Sequence, residues 1–248
     1  MKTILITGCS SGFGLDTANT FLARGWKVIA TMRVPRADLF PASDNLTVLP
    51  LDVTSDQSIQ EALLAAGPID VLVNNAGIGW LNALEGTPIE VAQSIFETNT
   101  IGTIRMTQAV LPQFRERQAG LIINVTSSVT MKPLPLLSVY TASKAAVNAF
   151  TESLAIELAP WGIDVKIVLP GAAPDTSFGN TALSRLKDNG GFPEAYGAFA
   201  ANVVTAMRTP GAPKTLSSDV AEAVWRVAND PDAPLLTPAG ADAVALAG

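Results

Sequence analysis

Thr3-Ile4-Leu5-Ile6-Thr7-Gly8-Cys9-Ser10-Ser11-Gly12-Phe13-Gly14 decides how the rest of the chain is read. Its first five residues are aliphatic or β-branched, the pattern of a strand buried on both faces. Glycines at 8, 12 and 14 then allow a tight turn and a close approach of backbone to a bound group. A helix starting near Gly12 would aim free N–H groups and its positive dipole end at that group. A pyrophosphate meets this description, held by Gly8, Ser10, Ser11, Gly12, Phe13 and Gly14. Gly8-Cys9-Ser10-Ser11-Gly12 also satisfies G-x-S-x-G, the nucleophile elbow of hydrolases, which sits at the same kind of turn. That elbow needs a histidine base, and the chain has no histidine. The hydrolase reading fails on chemistry.

Outward from this stretch, short apolar runs alternate with longer helical patterns. Lys27–Thr31, Leu46–Leu51, Val71–Asn74, Leu121–Thr126 and Asp164–Leu169 read as further strands, and Leu15–Arg24, Ser55–Ala66, Glu90–Leu111 and Ala142–Ala159 as helices. Apolar strands each followed by a helix predict a parallel sheet covered on both faces. Right-handed crossovers make a doubly wound, Rossmann-type α/β sheet the simplest assembly. No linker or internal repeat divides residues 1–248, so one dinucleotide-binding domain is expected. Residues 172–217 break the alternation with Gly, Pro, Asn and small apolar residues, and a segment of this kind after a strand end reads as a substrate lid.

Composition narrows the chemistry. Of 248 residues 48% are hydrophobic and 15% charged, a globular balance. A net charge of −6 with no dense basic run argues against nucleic acid or an anionic membrane as partner. With no histidine and a single cysteine, Cys9, there is no disulfide, no cysteine cluster for zinc and no imidazole base, so no metal site is expected. Cys9 itself reads as a small buried residue. No apolar stretch approaches the roughly 20 residues that span a bilayer, and no signal-peptide pattern opens the chain, so a cytoplasmic protein is expected.

The cofactor is legible at the strand ends. After Ala30-Thr31, Met32 stands where an NAD-binding acid is expected, and Arg33 follows it. Arg33, helped by Ser10, suits a 2′-phosphate, so NADP(H) is expected over NAD(H). Asp52, with Val53 after it, suits an adenine contact or caps the helix near Ser55. Asn75, Ala76 and Gly77, after Asn74, let the chain pass close to a cofactor or brace neighbouring strands.

Tyr140 and Lys144 lie one helical turn apart on one face. A phenol needs a nearby positive charge to exchange protons near neutrality, and Lys144 is placed to supply it. Ser127 ends the strand Leu121–Thr126, with Ser128 as an adjacent alternative. Asn99 lies midway along a predicted helix, as a functional residue or as the cause of a kink. Gly8/Gly12/Gly14, Asn74–Gly77, Asn99, Ser127, Tyr140/Lys144 and Pro170-Gly171, in this order, resemble the short-chain dehydrogenase/reductase family, in particular its NADP(H)-preferring branch with 17β-hydroxysteroid and retinol dehydrogenase relatives.

The resemblance implies roles. Tyr140 is the acid or base at the substrate oxygen. Lys144 lowers the pKa of Tyr140 and holds the nicotinamide ribose. Ser127 bonds the substrate oxygen, and Asn99 holds a water leading to Lys144. Pro170 and Gly171 border the cofactor. Relatives place a Thr five residues after that proline; here Asp175 occupies the place and Thr176 follows. The expected activity is hydride transfer between NADP(H) and an apolar ketone, aldehyde or alcohol. The apolar lid residues Phe178, Leu183, Phe192 and Phe199 suit such a substrate. A catalytically silent NADP(H) sensor of the same fold is the alternative. A homodimer or homotetramer is the expected assembly.

Overall fold

The structure, a computed structural model, describes residues 1–207, 211 and 213–247. Strands β1 (Thr3–Ile6), β2 (Lys27–Met32), β3 (Leu46–Pro50), β4 (Val71–Asn74), β5 (Gly120–Val125), β6 (Ile163–Pro170) and β7 (Leu236–Ala239) form one seven-stranded sheet in the order β3-β2-β1-β4-β5-β6-β7. Every pairing is parallel. The helices are α1 (Gly12–Ala23), α2 (Asp56–Ala66), α3 (Ile89–Phe96), α4 (Gly102–Arg117), α5 (Ser138–Leu158), α6 (Ser177–Asp188), α7 (Gly197–Met207), α8 (Ser217–Asn229) and α9 (Ala241–Ala247).

Side-chain alternation along each strand builds two cores. Ile4, Ile6, Val28, Ala30, Val71 and Val73 face α1 and α8, where Phe21, Val220 and Val224 meet them. Leu5, Ile29, Leu72 and Ile122 face the other way, onto Ile59 of α2, Met106 and Phe114 of α4, and Leu154 of α5. A strand that feeds both cores has no polar face, which is why its sequence reads as a continuous apolar run.

Strand order reverses between β1 and β4, so their carboxyl ends border a crevice. Open α/β sheets bind ligands at such a point. The glycine-rich turn leaves β1 there, and Asn75–Gly77 leaves β4 there.

Three elements differ from the sequence reading. The helix expected to end at Leu111 runs on to Arg117 with Pro112 inside it, and residues Glu97–Ile101 between α3 and α4 are a π-helical segment. β7 escapes a propensity reading because it contains Pro238; it lies at the sheet edge, where only β6 pairs with it and a missing N–H is tolerated. Residues 172–217, expected as a glycine- and proline-rich lid, carry two helices, α6 and α7. Their Leu183, Val203 and Val204 pack with Leu81, Leu136 and Ala200 as a third small core. Of that segment, 208–210 and 212 lie outside the described residues.

Candidate active site

The glycine-rich turn is held open from below. Gly8 and Gly12 adopt positive φ (75° and 55°), which a side chain would strain. Asn75 Nδ2 donates to Thr7 O at 2.9 Å and to Gly8 O at 3.2 Å, and Asn75 N and Ala76 N both donate to Thr7 Oγ1. Asn75 is therefore a brace between the β1 and β4 ends. Ser11 stands at the N-cap of α1 in extended backbone, yet its side chain caps nothing there. The first-turn N–H groups of α1 are left to an external acceptor, and an anionic pyrophosphate fits that cradle. The Ser11 hydroxyl lies 2.9 Å from that of Ser177, and Thr176 Cγ2 sits 3.5 Å from where a Gly12 Cβ would be. The head of α6 thus borders the cradle, and with it the shifted Thr176.

Arg33 is exposed at the end of β2 and forms no ion pair among the described residues. Asp52 accepts from Thr54 N (2.9 Å) and Thr54 Oγ1 (2.7 Å). Those bonds, with the charge of Arg33, hold its carboxyl below the usual range. Asp52 does not cap α2: Ser55 does, accepting from Ser58 N at 3.2 Å. Val53 is buried against Gly102, the first residue of α4.

α5 carries Tyr140, Ser143 and Lys144 on its buried face. Ser127, the residue after Thr126 at the end of β5, accepts from Val129 N at 3.3 Å and is the side chain that draws the Tyr140 phenol down against burial, so Ser127 rather than Ser128 is the serine beside the phenol. Ser128 belongs to a turn, its carbonyl accepting from Met131 N at 2.9 Å. Lys144 Nζ donates to Val125 O at 3.1 Å. A Cβ on Gly77 would sit 3.3 Å from both Lys144 Nζ and Asn99 Oδ1, so the bare glycine keeps these two polar groups beside the chain leaving β4.

Asn99 lies in the π-helical segment, and such single-turn interruptions recur at functional sites. Its side chain accepts from Ile78 N (2.8 Å) and donates to Ile78 O (3.0 Å) and Ser143 Oγ (3.1 Å). The Ser143 hydroxyl donates in turn to the backbone carbonyl of Tyr140 at 2.7 Å, and Thr100 Oγ1 donates to Ser143 O at 2.9 Å. Asn99 therefore marks an irregular turn and ties α5 to the chain after β4.

Burial dominates the electrostatics of Tyr140 and Lys144. Burial pushes the Tyr140 phenol up to about 12, against a smaller downward pull from Ser127. Burial also brings Lys144 down to about 8. Desolvation disfavours the charged form of each group and is the larger cause at both. At neutral pH both hold their protons. Cys9 is fully buried, its thiol donates to Ile6 O at 3.2 Å, and burial raises it to about 12, so it takes no part.

An aromatic residue of α6 lies over the phenol. The Phe178 ring of α6 lies 5.7 Å from the Tyr140 ring, tilted 59° to it, and its edge would be 2.8 Å from a Cβ on Gly79. Tyr140 is only 7% exposed beneath it.

Sequence and structure comparisons agree on the family. The model of the short chain dehydrogenase family matches residues 2–185. The chain belongs to the short-chain dehydrogenase family. Among its relatives, "Uncharacterized oxidoreductase YusZ" of Bacillus subtilis is 37% identical over 92% of this chain and 84% of its own length. Retinol dehydrogenase 8 of Homo sapiens is 39% identical over 68% of this chain, and the match spans 58% of that protein. A short-chain dehydrogenase from Streptomyces avermitilis superposes with a TM-score of 0.82 at 34% identity, covering 99% of this chain and 90% of its own. A closed serine dehydrogenase with NADP+ has a TM-score of 0.79 at 31% identity, covering 95% and 93%. A 3-ketoacyl-(acyl-carrier-protein) reductase from Brucella melitensis with NADH has a TM-score of 0.80 at 28% identity, covering 98% of each chain. This short-chain dehydrogenase is therefore an oxidoreductase whose structural neighbours bind both NADP and NAD.

Sequence reasoning brought Asn99, Ser127, Tyr140 and Lys144 to one site and the glycine loop to its rim. It missed the placement of Phe178 over the phenol, because nothing in the composition of residues 172–217 says which of their aromatic residues turns inward. It also missed the polar groups that hold the turn at Pro170 and Gly171, which come from residues 215 and 242.

Proposed function

We propose that this short-chain dehydrogenase is an NADP(H)-dependent carbonyl reductase that interconverts an apolar ketone or aldehyde with its alcohol. The observation that carries the reading is the buried Tyr140 phenol, beside Ser127 and one helical turn from Lys144, whose ammonium lies next to Gly77 at the end of β4. When bound, the nicotinamide supplies or accepts the hydride. Tyr140 holds its proton across the neutral range and gives it to the carbonyl oxygen as charge develops there; Ser127 donates a hydrogen bond to the same oxygen. Lys144, still protonated at neutral pH, offsets the negative charge then left on the phenol. Asn99 keeps α5, and so both groups, in register. The glycine loop and the α1 N-terminus would hold the pyrophosphate, and Arg33, with Ser10, would hold a 2′-phosphate. Asp52 and Val53 would line the adenine side, and Gly77, Pro170 and Gly171 the nicotinamide side.

An apolar substrate is read from Phe178 of α6, which covers Tyr140; α6, α7 and their connection act as the substrate lid, held on the fold by Leu183, Phe192, Val203 and Val204 packed with Leu81 and Leu136. A cytoplasmic location and a homodimer or homotetramer complete the reading; size-exclusion chromatography of the purified chain tests the assembly.

A panel of aliphatic and aryl ketones and aldehydes, followed at 340 nm with NADPH and NADH in parallel, tests the activity. Tyr140→Phe is expected to lose at least 100-fold in turnover while NADPH binding stays within about threefold. Comparable turnover in that variant would overturn the acid–base assignment. Tight NADPH binding with no turnover on any substrate would favour the silent sensor.

A further inference from the structure

Between β6 and α8 the chain leaves the sheet, forms α6 and α7, and returns; its two feet meet in one polar knot. Thr215 N donates to Ala172 O at 2.9 Å, and Gly171 N donates to Thr215 Oγ1 at 3.0 Å. Asp175 and Lys214, one near each foot, form an ion pair. Into this knot α9 inserts a carboxylate. Asp242 Oδ2 accepts Ala172 N at 2.6 Å, and Asp242 Oδ1 accepts the Thr215 hydroxyl at 2.6 Å. Thr215 is fully buried.

The same carboxylate explains a glycine. A Cβ built on Gly171 falls inside the Asp242 carboxylate, and the backbone of Gly171 does not lie in the left-handed region that would demand glycine on its own account. Pro170-Gly171 was read as a place where the backbone approaches the cofactor. Here the space beside Gly171 is filled by the protein.

We propose that Asp242 is a positioning residue of the dinucleotide site, resting on the reading that this site binds a nicotinamide cofactor. From the last helix it holds the turn Pro170-Gly171-Ala172 at the carboxyl end of β6 and locks both feet of the lid to that turn. β6 is the neighbour of β5, whose end carries Ser127 and whose Val125 carbonyl receives Lys144, so the turn borders the reacting side of the crevice. A charged acceptor serving one backbone N–H and one buried hydroxyl fixes direction as well as distance. Ordering the turn before the cofactor arrives spares the cofactor that cost on binding.

The test is a variant series read by NADPH fluorescence titration, thermal melting and steady-state kinetics on the full chain. Asp242→Ala is expected to weaken NADPH binding about tenfold and raise its KM similarly, with kcat within about threefold of wild type. Asp242→Asn keeps one acceptor oxygen and recovers part of that loss. Gly171→Ala alone is expected to be as damaging as Asp242→Ala, because its methyl group meets the carboxylate. In the Gly171→Ala/Asp242→Ala double variant the second change costs nothing further. Should Asp242→Ala not fold, Thr215→Val, which removes only the shared hydroxyl, carries the same expectation at about threefold.

Equal additional losses from Gly171→Ala in the wild-type and Asp242→Ala backgrounds would assign the glycine to the cofactor and overturn the proposal. So would NADPH affinity within twofold of wild type in folded Asp242→Ala. Wild-type protein that binds neither NADPH nor NADH would instead overturn the cofactor reading itself, and this one with it.

Discussion

Tyr140 and Lys144 share a face of α5, yet burial moves them in opposite directions. Lys144 titrates near 8 in the fold against 10.5 ordinarily, so between those values the unfolded chain holds a proton that the folded chain has lost, and stability rises with pH there. Tyr140 titrates near 12 against 10, so between those values the folded chain holds the extra proton and stability falls. Comparing wild type with Lys144→Met isolates the first effect. The melting temperature of wild type should gain about 3–6 °C on that of the variant between about pH 7.5 and 9.5. A gap that stays constant would mean that folded Lys144 keeps its proton throughout. Arg33 belongs to the same scale. Exposed and without an ion pair among the described residues, it offers a full charge at the end of β2. Arg33→Ala should weaken NADPH binding at least tenfold in fluorescence titration and leave NADH unchanged; equal losses for both dinucleotides would assign Arg33 no part in the choice.

At the scale of elements, a buried polar chain ties the sheet to its helices. Asn74 Nδ2 donates to Asn124 Oδ1 at 2.9 Å across β4 and β5, and Asn124 Nδ2 donates to Thr151 Oγ1 of α5 at 2.8 Å. Asn124 and Thr151 are fully buried. Thr151→Val keeps the shape but leaves the Asn124 amide unpaired, so urea denaturation should show about 1–3 kcal/mol less stability. Turnover of the folded variant should be unchanged, since the hydroxyl lies well down α5 from Tyr140; a large fall in kcat would make this chain part of the catalytic machinery. The strand elements β1 to β6 were legible as sequence because each feeds two cores. The site residues at their ends were legible because each follows such a run or lies on the helix after it. β7 was not, because an edge strand can carry Pro238, and α6 and α7 were not, because Gly179, Asn180, Gly190, Gly191, Pro193 and Gly197 in and around them read as loop. The π-helical turn at Asn99 was visible only as an asparagine in a helix; its partner Ile78 is 21 residues away.

The whole molecule couples the site to segments distant in sequence. The head of α6 borders the phosphate cradle, Phe178 covers Tyr140, and Asn82 Nδ2 donates to Gly191 O at 3.2 Å between α6 and α7. A ligand taken into that crevice touches elements from both halves of the chain and so stabilises the fold as a unit. At about 100 times its dissociation constant, NADPH should add about 2.7 kcal/mol, or about 5–10 °C in melting temperature for a domain of this size. NADH at the same concentration should add less. Differential scanning fluorimetry measures both, and a melting temperature indifferent to either dinucleotide would contradict the cofactor assignment.

Local pattern alone determined the parallel sheet, the glycine loop after its first strand, and the residue types gathered at the strand ends. These rest on periodicity, and on chemistry that only a few side chains can perform. Tertiary structure alone decided that burial is the larger cause at both Tyr140 and Lys144, that Phe178 is the aromatic residue over the phenol, and that Gly171 makes room for Asp242. Each of these depends on which atoms exclude water from a given point, and that is settled by packing between segments whose separation along the chain carries no periodic signal.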